Sequence, residues 1–392
     1  MSIKRNIPLI YITDSLMWGR FFIPVLALFY IASQVSIAQF SLIMSIFAIA
    51  TLIFEIPSGV ITDLIGKKRA LIISRSLYII EIFLIAFFNG FWIFLIAKII
   101  SGIGVSLSSG TDSALIYDTL KKMKREKDYK RIAGIKSTIV SISMAVIFII
   151  GGFLFSVNNK LPAIASLPLI TLGLILTFFI KEPFINQRKA NLNNCLKQLK
   201  ESLTFFKKSN YLKYLAFFSL PIATLISILF SMSSAYFQAV YIPIFIIGIL
   251  SFLSSMTIAF SSRISHSMEK RFGEKKSLFL MWFLILISVG GMALMLKQVG
   301  AIFFFLIPFV EGFFGVVIDT YANKYIRTSH RTTILSIKNM FNNIGVFILF
   351  PIVGYITKLI SLQFALIFLG AFFLVYSIFL LIYLKVLKLQ LE

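Results

Sequence analysis

Long apolar runs alternate with short polar stretches along the whole chain. A helix needs roughly 20 apolar residues to cross a bilayer. Twelve runs reach that length, at about residues 8–32, 38–62, 70–89, 91–118, 134–157, 162–181, 212–235, 239–262, 277–297, 300–325, 332–357 and 362–386. The runs at 91–118 and 300–325 exceed a span and are expected to protrude into the cytoplasm. The longest polar interval, 182–211, is rich in Lys and Asn. It carries Leu196-Lys-Gln-Leu-Lys-Glu-Ser-Leu203, an amphipathic pattern suited to the inner leaflet. The interval divides the chain into a six-helix half at 1–181, a cytoplasmic linker at 182–211 and a second six-helix half at 212–392.

Composition leaves one class open. The 392 residues are 59% hydrophobic with 43 Phe and only 14% charged, and the mean hydropathy is +0.95. A soluble domain of this size does not carry that composition; a polytopic all-α membrane protein does. The net charge of +23 then reads as topology rather than nucleic-acid binding. Of the 38 Lys and Arg, only Lys160, Lys297 and Lys358 fall in loops after odd-numbered runs. Arg20, Arg75, Lys98, Lys136 and Lys338 lie inside runs, and the rest occupy the termini and the loops after even-numbered runs. That asymmetry predicts a multi-pass protein of the cell membrane with both termini cytoplasmic. The single Cys, Cys195, excludes a disulfide framework. No signal-peptide cleavage pattern precedes the first run, which is expected to act as its own insertion signal. The Lys, Asn and Ile abundance points to an AT-rich bacterial genome.

The second and third runs are joined by Gly59-Val-Ile-Thr-Asp63-Leu-Ile-Gly66-Lys67-Lys68-Arg69. Gly66 can take a positive φ in this tight turn, Asp63 can cap a helix or pair with a base, and the bases hold the turn on the cytoplasmic side. Parts of this stretch recur. Gly66-Lys-Lys-Arg-Ala-Leu-Ile72 is echoed by Gly273-Glu-Lys-Lys-Ser-Leu-Phe279, Asp118-Thr119 by Asp319-Thr320, and Gly151-Gly152 by Gly354. Three echoes in one order argue for duplicated halves.

The turn resembles the loop between helices 2 and 3 of the major facilitator superfamily, G-x-x-x-D-(R/K)-x-G-(R/K)-(R/K). Gly59, Asp63, Gly66, Lys67, Lys68 and Arg69 fit, and Leu64 stands where the family usually has a base. Ile180-Lys-Glu-Pro183 resembles the usual end of helix 6. Ala97-Lys98-Ile-Ile-Ser101-Gly102-Ile-Gly104 resembles the helix-4 motif R-x-x-x-G-x-G, with Lys98 replacing Arg. Ser109-Gly-Thr-Asp112-Ser-Ala-Leu-Ile-Tyr117-Asp118 resembles bacterial drug-efflux members. The resemblance covers the whole chain. It implies the major facilitator fold: twelve transmembrane helices in two pseudo-symmetric six-helix halves around a midplane site. It also implies a gate in which the acid and bases of the helix 2–3 loop, Asp63, Lys67 and Arg69 here, bridge to Asp118 when the protein faces outward.

Charges inside the runs are candidate site residues, because each costs about 2.5–3.5 kcal/mol at the bilayer centre unless it has a partner or a wet cavity. Arg20 and Glu311 lie near the middle of helices 1 and 10, which the resemblance places at the central cavity. They are expected to bind substrate or proton, or to pair and hold the halves together. Asp14 lies roughly 9 Å into helix 1 and about 240° around it from Arg20, so the two are expected to have different partners. Glu55, beside Pro57, and Asp14 are further proton candidates, or partners of loop bases. Lys98 matches the base of proton-coupled members, and Lys98 or Arg20 is expected to partner Glu81. Asn342 and Asn343, with Lys338, suggest a polar stripe on helix 11. Gly59 and Gly66 complete the expected gate.

No catalytic constellation, nucleotide loop, metal cluster or cofactor motif is present in the sequence, so no enzyme is expected. The reading is a secondary transporter working by alternating access, exporting drugs or other amphipathic small molecules against protons. An importer of a small polar nutrient is the alternative, and a non-transporting receptor or lipid-handling protein a remote one. The helix-5 antiporter pattern G-x-x-x-G-P-x-x-G-G keeps only Gly151-Gly152; Ser143, Ile147 and Phe148 replace the rest. The expected partners are the bilayer, a small molecule and protons, without nucleic acid, for a monomer.

Overall fold

A computed structural model describes residues 3–183, 204, 209–295, 297–325 and 331–387. The described residues are helical throughout, without strands. The helices are α1 (Asn6–Met17), α2 (Leu26–Ala32), α3 (Ile37–Ile65), α4 (Lys67–Phe87), α5 (Phe91–Ser108), α6 (Thr111–Lys122), α7 (Tyr129–Val157) and α8 (Leu161–Phe178). They continue as α9 (Asn210–Ala239), α10 (Ile244–Leu294), α11 (Gly300–Phe304), α12 (Leu306–Tyr325), α13 (Arg331–Leu359) and α14 (Leu362–Leu387). Among the described residues, eleven helical stretches are long and apolar enough to cross a membrane, and Ile23–Ala32 is a shorter apolar one. The amphipathic stretch at 196–203 lies outside the described residues.

Five of the expected runs have a different course. The run at 8–32 is broken between α1 and α2. Gly19 N–H turns back to Leu16 C=O at 2.9 Å, Phe21 N–H is taken by Ser166 Oγ at 3.0 Å, and Pro24 has no N–H to give. The run at 91–118 divides at Gly110, which sits at φ +73. The runs at 239–262 and 277–297 remain two spans, Ile244–Glu274 and Lys276–Leu294, that meet within α10 at a kink where Gly273 leaves helical geometry (φ 72, ψ 177). The run at 300–325 divides into α11 and α12. Gly273 repeats the geometry of Gly66 (φ 93, ψ 153), so the two echoed glycines do the same backbone work. Each takes a conformation open essentially to glycine alone and starts the next stretch of helix.

The chain gathers into two compact units. The first comprises Met1–Val35, Ile46–Leu196 and Ile244–Phe252, and the second Ser36–Ser45, Lys197–Pro243 and Leu253–Glu392. Each unit therefore takes in a short stretch from the other half of the sequence. Lipid is as apolar as leucine, so close packing and polar contacts hold membrane helices together. In the first unit α5 meets its neighbours through small residues: Ser74 Oγ of α4 donates to Gly104 C=O at 2.6 Å, and a Cβ on Gly102 would lie 3.1 Å from the Ala50 Cβ of α3. Gly152 meets Gly248 backbone to backbone, where a Cβ would lie 2.7 Å from the Gly248 Cα. In the second unit Ser45 Oγ donates to Phe347 C=O at 2.7 Å, the Phe40 and Phe350 rings meet edge to face at 5.8 Å, and a Cβ on Gly354 would collide with Ser41 Oγ. The echo of Gly151-Gly152 in Gly354 thus marks close backbone approach in each unit.

Candidate functional site

The first unit holds a partly open cavity of about 560 Å³ between α1, α4, α5, α6 and α7. Two charge clusters border it, and the breaks in the helices position both. Arg20 sits in the unwound segment after α1, and Asp112 opens α6 just beyond the Gly110 bend, where the helix N-terminus favours a carboxylate.

The first cluster is Asp14, Arg75, Asp112 and Lys136. Arg75 Nη2 donates to Asp14 Oδ1 at 3.0 Å and lies 3.7 Å from Asp112 Oδ1, while Nη1 donates to Thr177 Oγ1. Lys136 Nζ pairs with Asp14 Oδ2. Two acids face two bases, so the cluster is formally neutral, as burial of the Arg75 side chain at 2% exposure demands. Asp112 Oδ1 is buried without a hydrogen-bond partner.

The second cluster surrounds Glu81, which is fully buried. Lys98 Nζ donates to Glu81 Oε1 at 2.7 Å, and Arg20 Nη1 lies 3.8 Å from Oε2. The Arg20 guanidinium sits 4.1 Å from the centroid of the Tyr78 ring, and Tyr78 Oη lies 3.3 Å from Ser108 Oγ. Both bases weighed as partners for Glu81 are therefore at hand, and Asp14 and Arg20 have separate partners.

At one end of the first unit lies the helix 2–3 turn. Lys67 Nζ pairs with Asp118 Oδ2. Glu182 closes the N-terminus of α4: its two carboxylate oxygens accept from Lys67 N–H at 2.9 Å and Lys68 N–H at 2.7 Å. Lys68 Nζ caps Phe178 C=O at 2.7 Å, and Asn6 exchanges hydrogen bonds with the Lys181 backbone at 2.7 and 3.0 Å. Asp63 and Arg69 are exposed and make no ion pair among the described residues, and Gly59 faces open space. Glu182 was legible only as part of a helix-6 ending; nothing in its spacing announced that it caps α4.

In the second unit Glu311 is half-buried on α12, with no hydrogen bond or ion pair among the described residues. The neighbouring turn is held tightly to α10, as Ser262 Oγ donates to Gly312 C=O at 3.1 Å. Asn342 Nδ2 reaches Ser227 Oγ at 3.5 Å, and its Oδ1 is buried without a partner. Asn343 is half-buried beside it. The Lys338 side chain lies outside the described residues. Glu55 is half-buried on α3, and its carbonyl accepts from Ser58 Oγ at 2.9 Å, so Pro57 leaves α3 continuous. Arg75, Lys136 and Asp112 are the cluster residues that the sequence did not single out as a site. The signal was their position as charges inside apolar runs.

A family model, the Major Facilitator Superfamily, matches residues 9–318. The uncharacterized MFS-type transporter YxaM of Bacillus subtilis (strain 168) is 25% identical over 384 residues, 92% of this chain and 89% of its own. Quinolone resistance protein NorA of Staphylococcus aureus (strain MRSA252) is 24% identical over 140 residues, 36% of this chain and 35% of its own. The crystal structure of nucleoside transporter NupG matches with a TM-score of 0.80 over 98% of this chain and 100% of its own, at 13% identity, a likeness of fold. With its apolar helices and this family match, the chain belongs to the Major Facilitator Superfamily, as a multi-pass membrane transporter of small molecules.

Proposed function

We propose that this transporter exports amphipathic small molecules in exchange for protons. The reading rests on Glu311, a half-buried acid on α12 that makes no ion pair among the described residues. Asp14, Glu81 and Asp112 each have a base within 4 Å. A carboxylate held by a cation is neutralised without a proton, whereas an unpaired carboxylate in the membrane gains most from binding one. Glu311 is therefore the proton carrier in this reading. Arg20, Asp14, Lys98, Asn342 and Asn343 serve the substrate path or hold its walls, and Glu55 is a second proton site. The Lys67–Asp118 pair acts as a cytoplasmic gate, with Gly66 and Glu182 fixing the start of α4 and Asp63, Arg69 and Gly59 flanking it. Partial similarity to a quinolone resistance protein, NorA, supports the export reading over its 140 matched residues.

The test is substrate-driven proton movement in vesicles holding the purified protein. Lipophilic cations, macrolides and amphipathic carboxylates are applied to wild type and to Glu311→Gln. Wild type is expected to release protons with at least one compound class, and the variant to release none. Proton silence of wild type with every class overturns antiport. Uptake of a small polar solute is then the second reading, favoured by the Asn342–Ser227 contact and the serine-bearing cavity wall.

A further inference from the structure

The two clusters beside the cavity do not balance. Arg20, Arg75, Lys98 and Lys136 face Asp14, Glu81 and Asp112, leaving one positive charge over. Geometry says where that charge resides. Lys136 and Arg75 are held by Asp14 and Asp112. Glu81 is shared by two bases: Lys98 donates to Oε1 at 2.7 Å, and Arg20 lies 3.8 Å from Oε2, an ion-pair distance too long for a hydrogen bond, so Arg20 has no carboxylate of its own. Arg20 Nε is buried without a hydrogen-bond partner, and the residue lines the cavity. A guanidinium left in this state asks for an acceptor with a negative charge.

The walls say what carries that charge. The cavity, about 560 Å³, has the size of a small-molecule site. Tyr78 lies under the guanidinium, Trp18 is at the wall, and Ser108 and Ser113 offer hydroxyls. We propose that this cavity binds an amphipathic aromatic monoanion, its carboxylate on Arg20 and its ring beside Tyr78 and Trp18. A cationic ligand meets the opposite situation: Asp14 and Asp112 already share two bases. The proposal names the substrate class of the export reading and depends on that reading only for the direction of transport.

The experiment is equilibrium binding to the full chain in lipid nanodiscs, without a proton gradient. The probes are naphthoate, its neutral isostere naphthamide and cationic naphthylmethylammonium. Wild type is expected to bind naphthoate roughly tenfold or more tighter than the other two, the size of one charge-assisted hydrogen-bonded contact. Arg20→Gln removes that preference, and Arg20→Lys keeps part of it. Equal binding of the three probes, tighter binding of the cation, or a preference that survives in Arg20→Gln overturns the proposal. The charge preference of wild type is itself a readout, so a variant that fails to fold leaves the test intact. Naphthoate binding with no proton movement in vesicles defeats antiport and keeps the site. Proton movement driven by cations, with no naphthoate preference, defeats the site and keeps antiport.

Discussion

Arg75 is 2% exposed and touches α1, α6 and α8 through Asp14, Asp112 and Thr177. Removing one partner of a buried ion pair leaves an uncompensated charge, at a cost of about 3–5 kcal/mol. Arg75→Leu is therefore expected to lower the thermal midpoint of the detergent-solubilised protein sharply. Adding Asp112→Asn to it should recover part of the loss, because two charges of opposite sign then leave together and the Lys136–Asp14 pair stays. A single substitution as mild as an exposed one contradicts the network. Lys160 offers a different residue-scale test, since it lies in the loop between α7 and α8. Its Nζ caps Ile85 C=O and Phe88 C=O, both at 2.9 Å, and lies 5.4 Å from the Phe29 ring centroid. Burial lowers its pKa to about 8, against about 10.4 for an unhindered lysine. Between these values the unfolded chain holds a proton that the folded chain has released, so stability rises with pH. Wild type is expected to gain on Lys160→Met as pH goes from 8 toward 10, and to lose that gain as pH falls back to 8. Parallel pH profiles of the two proteins rule this out.

Among the elements, α4 shows how one turn is specified. Gly66 takes φ 93, and a Cβ there would also lie 3.3 Å from Glu182 Oε1. Gly59, in the same motif, sits in α3 with nothing within 4 Å of an added Cβ. Gly66→Ala is expected to cost about 1–3 kcal/mol of stability, whereas Gly59→Ala should be neutral or gain about 0.5–1 kcal/mol. Thermal unfolding of the two variants separates them, and equal losses contradict the assignment. Glu182→Gln keeps an acceptor at the α4 N-terminus but removes its charge, so a loss of about 0.3–1 kcal/mol is expected, shrinking in high salt. The break after α1 follows a related logic. Gly19 and Pro24 interrupt the backbone ladder, and Ser166 replaces a lost partner for Phe21 N–H, which sets Arg20 in unwound chain beside the cavity.

At the scale of the whole molecule, charge distribution predicts an orientation. Single cysteines placed in a Cys195→Ser background at Lys121→Cys and Lys297→Cys are expected to react with an impermeant maleimide from opposite faces of the membrane, Lys121→Cys from the cytoplasmic side. Labelling of both from one side contradicts the topology. Each compact unit also holds a close approach at a glycine where an added Cβ would force a shift, Gly152 against Gly248 in the first and Gly354 against Ser41 in the second. The sequence shows those glycines as an echo, and the contacts give the echo its physical cause.

How much was legible follows from the kind of force involved. Apolar runs long enough to span a bilayer, a one-sided distribution of bases and the G-x-x-x-D turn determined the fold class, because lipid leaves a spanning helix almost no alternative. Charges inside those runs marked Arg20, Asp14, Lys98 and Glu311 as candidates, because each must find a partner or water. Which partner each found was decided by tertiary structure. Asp14 went to Arg75 and Lys136 across about 60 and 120 residues of sequence, and Glu81 went to Lys98, leaving Arg20 in excess. The helix breaks were equally out of reach of periodicity, since a run stays apolar whether or not its backbone ladder is intact. Pairing and unwinding depend on which helices lie side by side, and that is a property of the packed molecule rather than of any one stretch of its chain.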